Sequence, residues 1–547
     1  MNRNTERFFS MLPKVNIQRS LFDRSHELKT SFNAGLLIPI FCDETLPGDT
    51  FTMDLASVVR TTSPFVKPVM DNMYMDTYFF FVPNRLVWDH WKEFMGENSS
   101  GPWTQQTEYV IPQVTSPSGG WNHGTLGDYF GCPPGVANLP ISALYARAYS
   151  LIWNEFFRDQ NLQNPTNVPK TDADVTGSNG STYETDPCLY GMPLPVAKFH
   201  DYFTSALPEP QKGPSVSLPL GTSAPITGTI SGTGNLQFDN AAHVGGSVSL
   251  FAAPGNVYIN GHSNSDLRYV SGLDITSASV DLSNATAATI NQLRQAFAIQ
   301  RLYEKDARGG TRYIEVIKSH FNVDSPDARL QRPEYLGGKR ISLNISQVLQ
   351  TGETGATSPQ ANVAAYSLTG DASSLFTKGF TEHGIVIGLA CVRTEKTYQQ
   401  GLNKIFSRRR RFDYYWPTLS HLGEQAILNK EIYAQGNSVL DANNKVIDDQ
   451  AFGYQEAWAE YRYKPSQVTG QMRSNATGSL DVYHFADDYN SLPQLGDSWI
   501  VEDKANIDRC LAFGSAVADQ FIADFYFKFR SARPMPVNSI PGLIDHY

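Results

Sequence analysis

The clearest periodic signal in this chain lies near its end. Phe521, Ala523, Phe525, Phe527 and Phe529 alternate with Asp524, Tyr526, Lys528 and Arg530. Successive side chains on a strand point to opposite faces, so this alternation predicts a strand with one face in a core and the other against solvent or a partner. Tyr74 to Val82 (YMDTYFFFV) is nearly all apolar or aromatic, the pattern of a strand covered on both faces. Ala34 to Phe41 is apolar and is followed by the turn Leu46-Pro47-Gly48-Asp49. Arg312–Ser319, Gly384–Val392 and Leu480–Phe485 are further strand candidates. Two stretches carry apolar residues at three- and four-residue spacing and predict helices. The first is 141–157, with Ile141, Leu144, Tyr145, Ala148, Leu151, Ile152 and Phe156. The second is 290–306, with Ile290, Leu293, Phe297 and Leu302, stopped by Gly309-Gly310. Stripes of this kind pack on a protein body.

Composition extends this reading. The 42 Gly and 32 Pro punctuate the chain into short segments and long loops, and aromatic residues make up 12% of it. Both features favour an all-β body with large excursions over a helical or doubly wound one. Residues 213–288 change character: Gly, Ser, Thr, Ala and Asn dominate, and Arg268 is the sole Lys or Arg. Gly246–Phe251 and Asn256–Ile259 still read as short strands there, so the segment is expected to be an exposed β insertion. The expected organisation is a basic arm over 1–30, a first part of the body over 31–212, the insertion over 213–288 and a second part of the body over 289–547.

The net charge of −10 excludes a surface made throughout for nucleic acid and leaves room for local basic sites. Two stand out. In the arm, Arg3, Arg7, Lys14 and Arg19 are interleaved with Phe8, Phe9 and Phe22, a combination that neutralises phosphates and stacks on bases, or that drapes over a neighbouring subunit. Further on, Arg408, Arg409, Arg410 and Arg411 are followed by Phe412, Tyr414, Tyr415 and Trp416. Guanidinium groups bind phosphates in forked geometry, and they also serve subunit contacts. Trp416-Pro417 favours the subunit contact or a core margin, and the DNA contact stays open beside it.

Catalytic signals are nearly absent. No phosphate-binding P-loop, dinucleotide-binding glycine motif, zinc-protease motif or nucleophile elbow occurs; Gly337-Gly338-Lys339-Arg340 lacks the spacing and the hydroxyl. Asp172-x-Asp174 before Gly177 resembles the start of a calcium loop, but the twelfth position is Tyr183, which cannot give a bidentate carboxylate. Asp43-Glu44 and Asp487-Asp488 could be a glycosidase's carboxylate pair, but surface or turn acids are the far commoner case and the reading taken. Five scattered cysteines with no C-x-x-C predict neither a zinc site nor a disulfide framework. The first twenty residues carry charges throughout and read as no signal peptide, and no apolar run is long enough for a bilayer. The expectation is a non-enzymatic protein without cofactor or metal and without membrane insertion.

Eight long stretches carry a family resemblance. They are Phe41–Phe51 (FCDETLPGDTF), Met70–Glu97 (MDNMYMDTYFFFVPNRLVWDHWKEFMGE), His200–Gly213 (HDYFTSALPEPQKG), Leu293–Glu315 (LRQAFAIQRLYEKDARGGTRYIE), Ser325–Gly338 (SPDARLQRPEYLGG), Asn429–Gly436 (NKEIYAQG), Phe452–Ser474 (FGYQEAWAEYRYKPSQVTGQMRS) and Arg533–Leu543 (RPMPVNSIPGL). Through them the chain resembles the major capsid proteins of the Microviridae, in the gokushovirus branch. The resemblance implies a mainly β protein, an eight-stranded viral jelly roll with long loop insertions and a few helices. It further implies a homo-oligomeric T=1 icosahedral shell around a circular single-stranded DNA genome held on the inner surface. An internal scaffolding protein, a DNA pilot or minor capsid protein, and a host cell-surface receptor met through 213–288 are the implied partners, with assembly in the bacterial cytoplasm and residence in the virion. A phage spike or tail protein with carbohydrate-degrading activity is the alternative; its repeats are missing here.

Overall fold

The computed structural model describes residues 18–98, 108–214, 216, 250–253, 256–259, 290–352, 354–355 and 359–538. The chain divides into two compact units, Met1–Lys212 together with Glu304–Tyr547, and Gly213–Tyr303. In the smaller unit, Leu250–Ala253 and Asn256–Ile259 pair antiparallel, with Ala253 opposite Asn256. Gly246–Ser249, the start of a predicted strand, lies outside the described residues.

Eight long strands build the larger unit: β1 (His26–Phe32), β2 (Ile38–Thr45), β3 (Thr50–Thr61), β4 (Met73–Pro83), β5 (Glu334–Ser342), β6 (Val363–Gly379), β7 (Gly384–Thr394) and β8 (Phe521–Arg533). They form two antiparallel sheets, ordered β1-β8-β3-β6 and β2-β7-β4-β5. The chain therefore passes between the sheets at every step except β4 to β5. That winding is the eight-stranded jelly roll, which turns two sheets face to face and limits the edges left open. Ser20–Asp23 continues beside β8, and Ile345–Leu349 extends the first sheet beyond β6. Two long excursions leave this frame, 84–333 between β4 and β5 and 395–520 between β7 and β8.

Phenylalanines from both sheets meet in the middle. Phe41 of β2 lies 5.3 Å from both Phe527 and Phe529 of β8 between ring centroids, and Phe51 of β3 sits edge-on to Phe529 at 4.9 Å. Phe79 of β4 faces Phe376 of β6 at 5.8 Å. These offset and edge-on contacts suit the aromatic quadrupole and add to the gain from area burial. All six rings are buried.

The outer faces of the two sheets differ, and the sequence patterns follow from that difference. The second sheet is covered again: Phe80, Val82, Ile385, Ile387 and Leu389 join Trp88, Trp121, Tyr149 and Trp153 in a second core. Strands β4 and β7 are therefore apolar on both faces, as their unbroken runs predict. Much of that cover is α1 (Leu144–Ile152) with the π-turn Trp153–Phe157, and Tyr149 donates its hydroxyl to Leu37 O at 2.7 Å. On the first sheet, Val58, Tyr366, Leu368 and Tyr526 are exposed, so β8 alternates.

Three strand expectations need correction. The apolar run at Ala34 enters its strand only at Ile38, because Gly35 takes a left-handed turn (φ 79°) where a Cβ would stand 2.6 Å from Glu502 O. Arg312–Ser319 is the front of a helix: α3 is Tyr313–Phe321, following α2 (Ile290–Gly309). The Arg312 N–H donates to Glu315 Oε2 at 3.0 Å, and left-handed Asn322 ends the helix. That local capping outweighs the β-branched residues. At Leu480–Phe485 the chain makes a single 3-10 turn, Asp481–Tyr483, closed by Ser479 Oγ accepting from the Asp481 N–H at 3.1 Å. Helix α2 forms where predicted, yet Phe297 and Leu302 of its stripe are exposed.

A third core holds the excursions together, and buried ions lie at its margin. Lys198 Nζ meets Asp487 Oδ2 at 2.8 Å, and Lys396 Nζ meets Glu502 Oε1 at 2.8 Å and Asp487 Oδ1 at 3.8 Å. Asn506 and Tyr489 donate to the same Asp487 carboxylate. Burial works against ionisation of Asp487, but Lys396 and Lys198 outweigh it and hold the carboxyl well below its usual range.

Two stability measurements test this arrangement by urea unfolding of unassembled protein. Phe527→Ala is expected to cost about 3–5 kcal/mol, the range for an emptied aromatic core site. Lys396→Met is expected to cost about 3–5 kcal/mol by leaving buried carboxylates short of a cation. The depressed Asp487 carboxyl contributes stability that is complete above the unfolded carboxylate range and is lost as pH falls through the folded value. The gap between wild type and Lys396→Met should therefore narrow only below about pH 4.

Candidate nucleic-acid interface

The arginine run lies in the excursion between β7 and β8, where short turns replace regular structure. Single 3-10 turns at Lys404–Phe406, Arg411–Asp413 and Pro417–Leu419 fold the segment tightly. Asp413 organises it: one carboxylate oxygen accepts the backbone N–H groups of Arg409 and Arg410, each at 2.7 Å. Those two bonds hold the Asp413 carboxyl below its usual range. The loop is thus closed through backbone N–H groups, which leaves the side chains of Arg409 and Arg410 out of the closure.

The four arginines divide into two kinds. Arg408 is drawn inward; its Nη2 meets Glu460 at 3.0 Å with both side chains under a tenth exposed, and its guanidinium lies 4.4 Å from the Tyr461 ring centroid. Arg409, Arg410 and Arg411 are exposed and have no ion-pair partner among the described residues. The Arg411 guanidinium covers the Trp416 ring at 4.7 Å, and Trp416 Nε1 donates to Arg411 O at 3.1 Å. A stacked guanidinium keeps its edge donors free for an incoming anion.

Aromatic faces surround these cations. Phe406 is 74% exposed and Phe412 69%, with Tyr414, Tyr415 and Trp416 also open. So many exposed rings in one segment mark an interaction surface. The fold adds a second strip that the sequence reading did not single out. Trp458 donates its indole N–H to Leu419 O at 2.8 Å, and Tyr415 packs edge-on against Trp458. This brings Tyr461-Arg462-Tyr463-Lys464, all exposed, into the neighbourhood of the arginine loop. Their strict aromatic–basic alternation was the signal available in the sequence.

The N-terminal candidates are placed differently. Arg3, Arg7 and Lys14 lie outside the described residues. Arg19 is exposed, and its guanidinium donates to Thr50 Oγ1 at 2.6 Å and Ala532 O at 3.3 Å. Within the same 1–30 stretch, Ser20–Asp23 and β1 are sheet strands.

The acids considered for chemistry hold the structure together. Asp43 pairs with Arg24 and Arg533, Glu44 accepts from the Tyr145 hydroxyl, and Asp172 accepts from Trp88 Nε1 at 2.6 Å. Among the described residues no group of three or more His, Cys, Asp or Glu could hold a metal ion, and no helix is long and apolar enough to cross a membrane. All five cysteines are free.

If the division of the arginines is right, Arg408→Ala should destabilise the protein by about 3 kcal/mol, because Glu460 is left buried without its cation. The triple change of Arg409, Arg410 and Arg411 to Ser should stay within about 0.5 kcal/mol of wild type. Thermal and urea unfolding of the two variants side by side checks both figures.

Comparison with known proteins identifies the family. A family model described as capsid protein (F protein) matches residues 10–543. The capsid protein VP1 of Chlamydia phage 1 is 43% identical over 98% of this chain and 97% of its own length. The capsid protein VP1 of Bdellovibrio phage phiMH2K is 44% identical over 100% of this chain and 99% of its own, and that of Spiroplasma virus 4 is 41% identical over 98% and 97%. A match of this extent, on a chain wound as a jelly roll, means that the protein belongs to the capsid protein (F protein) family and is a structural coat subunit of a phage.

Proposed function

We propose that this chain self-assembles into a T=1 icosahedral shell around a circular single-stranded DNA genome, and that the loop bearing Arg409, Arg410 and Arg411 lines its inner surface. The observation that carries the DNA assignment is the exposure of three guanidinium groups with no ion-pair partner among the described residues, set among open aromatic rings on a loop closed by Asp413. A flexible single strand needs both elements, cations for its phosphates and flat faces for its bases. The match to the capsid family supports the shell.

In this reading the jelly roll is the shell wall and its excursions meet neighbouring copies. Closed symmetry requires each face of a subunit to complement a face of another copy. Residues 213–288 form a surface protrusion used in host attachment, and their sparsely charged Gly/Ser/Thr-rich composition suits an exposed tip. An internal scaffolding protein and a DNA pilot protein complete the assembly in the bacterial cytoplasm, and Arg3, Arg7 and Lys14 add a second basic contact to the genome.

Electron microscopy of the expressed protein, alone and with a scaffolding protein, tests the shell. Uniform small icosahedral particles are expected; monomers or filaments in both preparations would refute it. Salt titration of oligothymidylate binding tests the loop. Changing Arg409, Arg410 and Arg411 to Ser should flatten the slope of log affinity against log salt by about 2, as three lost phosphate contacts on a single strand require. An unchanged slope would remove the loop from the DNA interface.

A further inference from the structure

Far along the sequence from the arginine loop, the outer face of the second sheet is left uncovered at one place. There the cover supplied by α1 and the π-turn ends, and an open cavity of about 610 Å³ remains. Its size falls within the ~300–1,000 Å³ of ordinary ligand sites. Its walls are aromatic: Tyr78 and Phe80 of β4, Phe156 and Phe157 of the π-turn, Tyr335 of β5, and Phe199.

One side of the cavity is cationic. Arg340 and Arg393 both reach Asp76, which is only 3% exposed; Arg340 Nε stands 2.6 Å from Asp76 Oδ1, and Arg393 Nη2 contacts Oδ2. Two guanidiniums on one carboxylate leave a positive charge in excess. The nearby charges do not cancel it, because Lys198 is turned inward to Asp487 and Asp327 is turned to Arg332. Both guanidiniums also lie on the Phe199 ring, at 4.4 Å and 4.2 Å from its centroid. Arg340 uses Nε and Nη2 on Asp76, and its side chain is half exposed, so it still offers donors outward. Arg393 Nε is buried with no hydrogen-bond partner among the described residues, and exposed His200 stands at the rim.

A site with surplus guanidinium charge beside stacked aromatic walls recognises a planar ring carrying an anion. We propose that this cavity binds one nucleotide of the single-stranded genome, its base among Phe156, Phe157 and Tyr335 and its phosphate at Arg340 and His200. The proposal rests on the reading of the protein as a coat around single-stranded DNA. It assigns a base-binding point separate from the arginine loop. Stacking on aromatic side chains tolerates any base, which a coat protein facing an arbitrary genome sequence needs.

The test uses the full chain before assembly, titrated with a fluorescent oligothymidylate, with an abasic oligomer of equal length, and with thymidine monophosphate. In wild type the oligothymidylate should bind more tightly than the abasic strand. Tyr335→Leu keeps apolar bulk at a half-exposed position and should fold normally; it should lower the ratio of the two affinities about tenfold. Arg340→Gln should weaken both oligomers and abolish competition by thymidine monophosphate. The triple Ser variant of Arg409–Arg411 should weaken both oligomers and leave the ratio as in wild type. If the ratio is unchanged in Tyr335→Leu while the triple variant still weakens binding, the cavity assignment is wrong and the DNA reading stands. If wild type binds neither oligomer, both fall. Binding of a short peptide ending in a tyrosine carboxylate, lost in Arg340→Gln with the ratio unchanged, would assign the cavity to a protein partner and overturn the proposal.

Discussion

The phenylalanine contact between the two sheets is the constraint on which the larger unit depends. Phe41 and Phe79 come from one sheet, and Phe51, Phe376, Phe527 and Phe529 from the other. These residues enter the core from five strands that span most of the sequence. Holding them in one layer forces the chain to return from each excursion to a fixed place, and β8 closes the first sheet only at the end. Interiors packed at crystal-like density leave little freedom in those positions. The excursions can then be long without loosening the frame, because loop length itself costs little once the ends are fixed.

The same frame explains what the sequence reveals and what it conceals. Strand β8 was legible because one of its faces is exposed, which imprints a strict alternation. Strands β4 and β7 were legible for the opposite reason, since cover on both faces leaves an unbroken apolar run. The pairing order was not legible from the residues, because Phe527 carries no mark that it will lie against Phe41; the family resemblance implied the jelly roll and no more. Arg312–Ser319 misled because β-branched residues alternate there, while the decisive contact, the Arg312 N–H to Glu315, is a capping bond between neighbours. In the arginine run, nothing in four consecutive arginines says that Arg408 turns inward. Glu460, which takes it, lies 52 residues away. The Tyr461–Lys464 strip was visible as a pattern and became meaningful only once Trp458 docked beside it.

Charge is used in two ways in this molecule. Where the excursions meet, Lys198, Lys396, Asp487 and Glu502 are buried and paired, so their value lies in fixing geometry. Moving any one of them leaves another without its partner, and that penalty specifies a single arrangement. At the arginine loop Arg409, Arg410 and Arg411 face outward, and the loop is held by the backbone bonds to Asp413 and by the inward Arg408 instead. On the proposed function, a surface for a polyanion gains from this separation, since the three outward cations are not needed to hold the fold.

The most direct test of the account is a high-resolution reconstruction of genome-filled particles. The account predicts subunits wound β1-β8-β3-β6 and β2-β7-β4-β5, with Arg409, Arg410 and Arg411 facing the lumen against density that is absent from empty shells. Finding these arginines on the outer surface, or sealed against carboxylates of a neighbouring subunit, would contradict it.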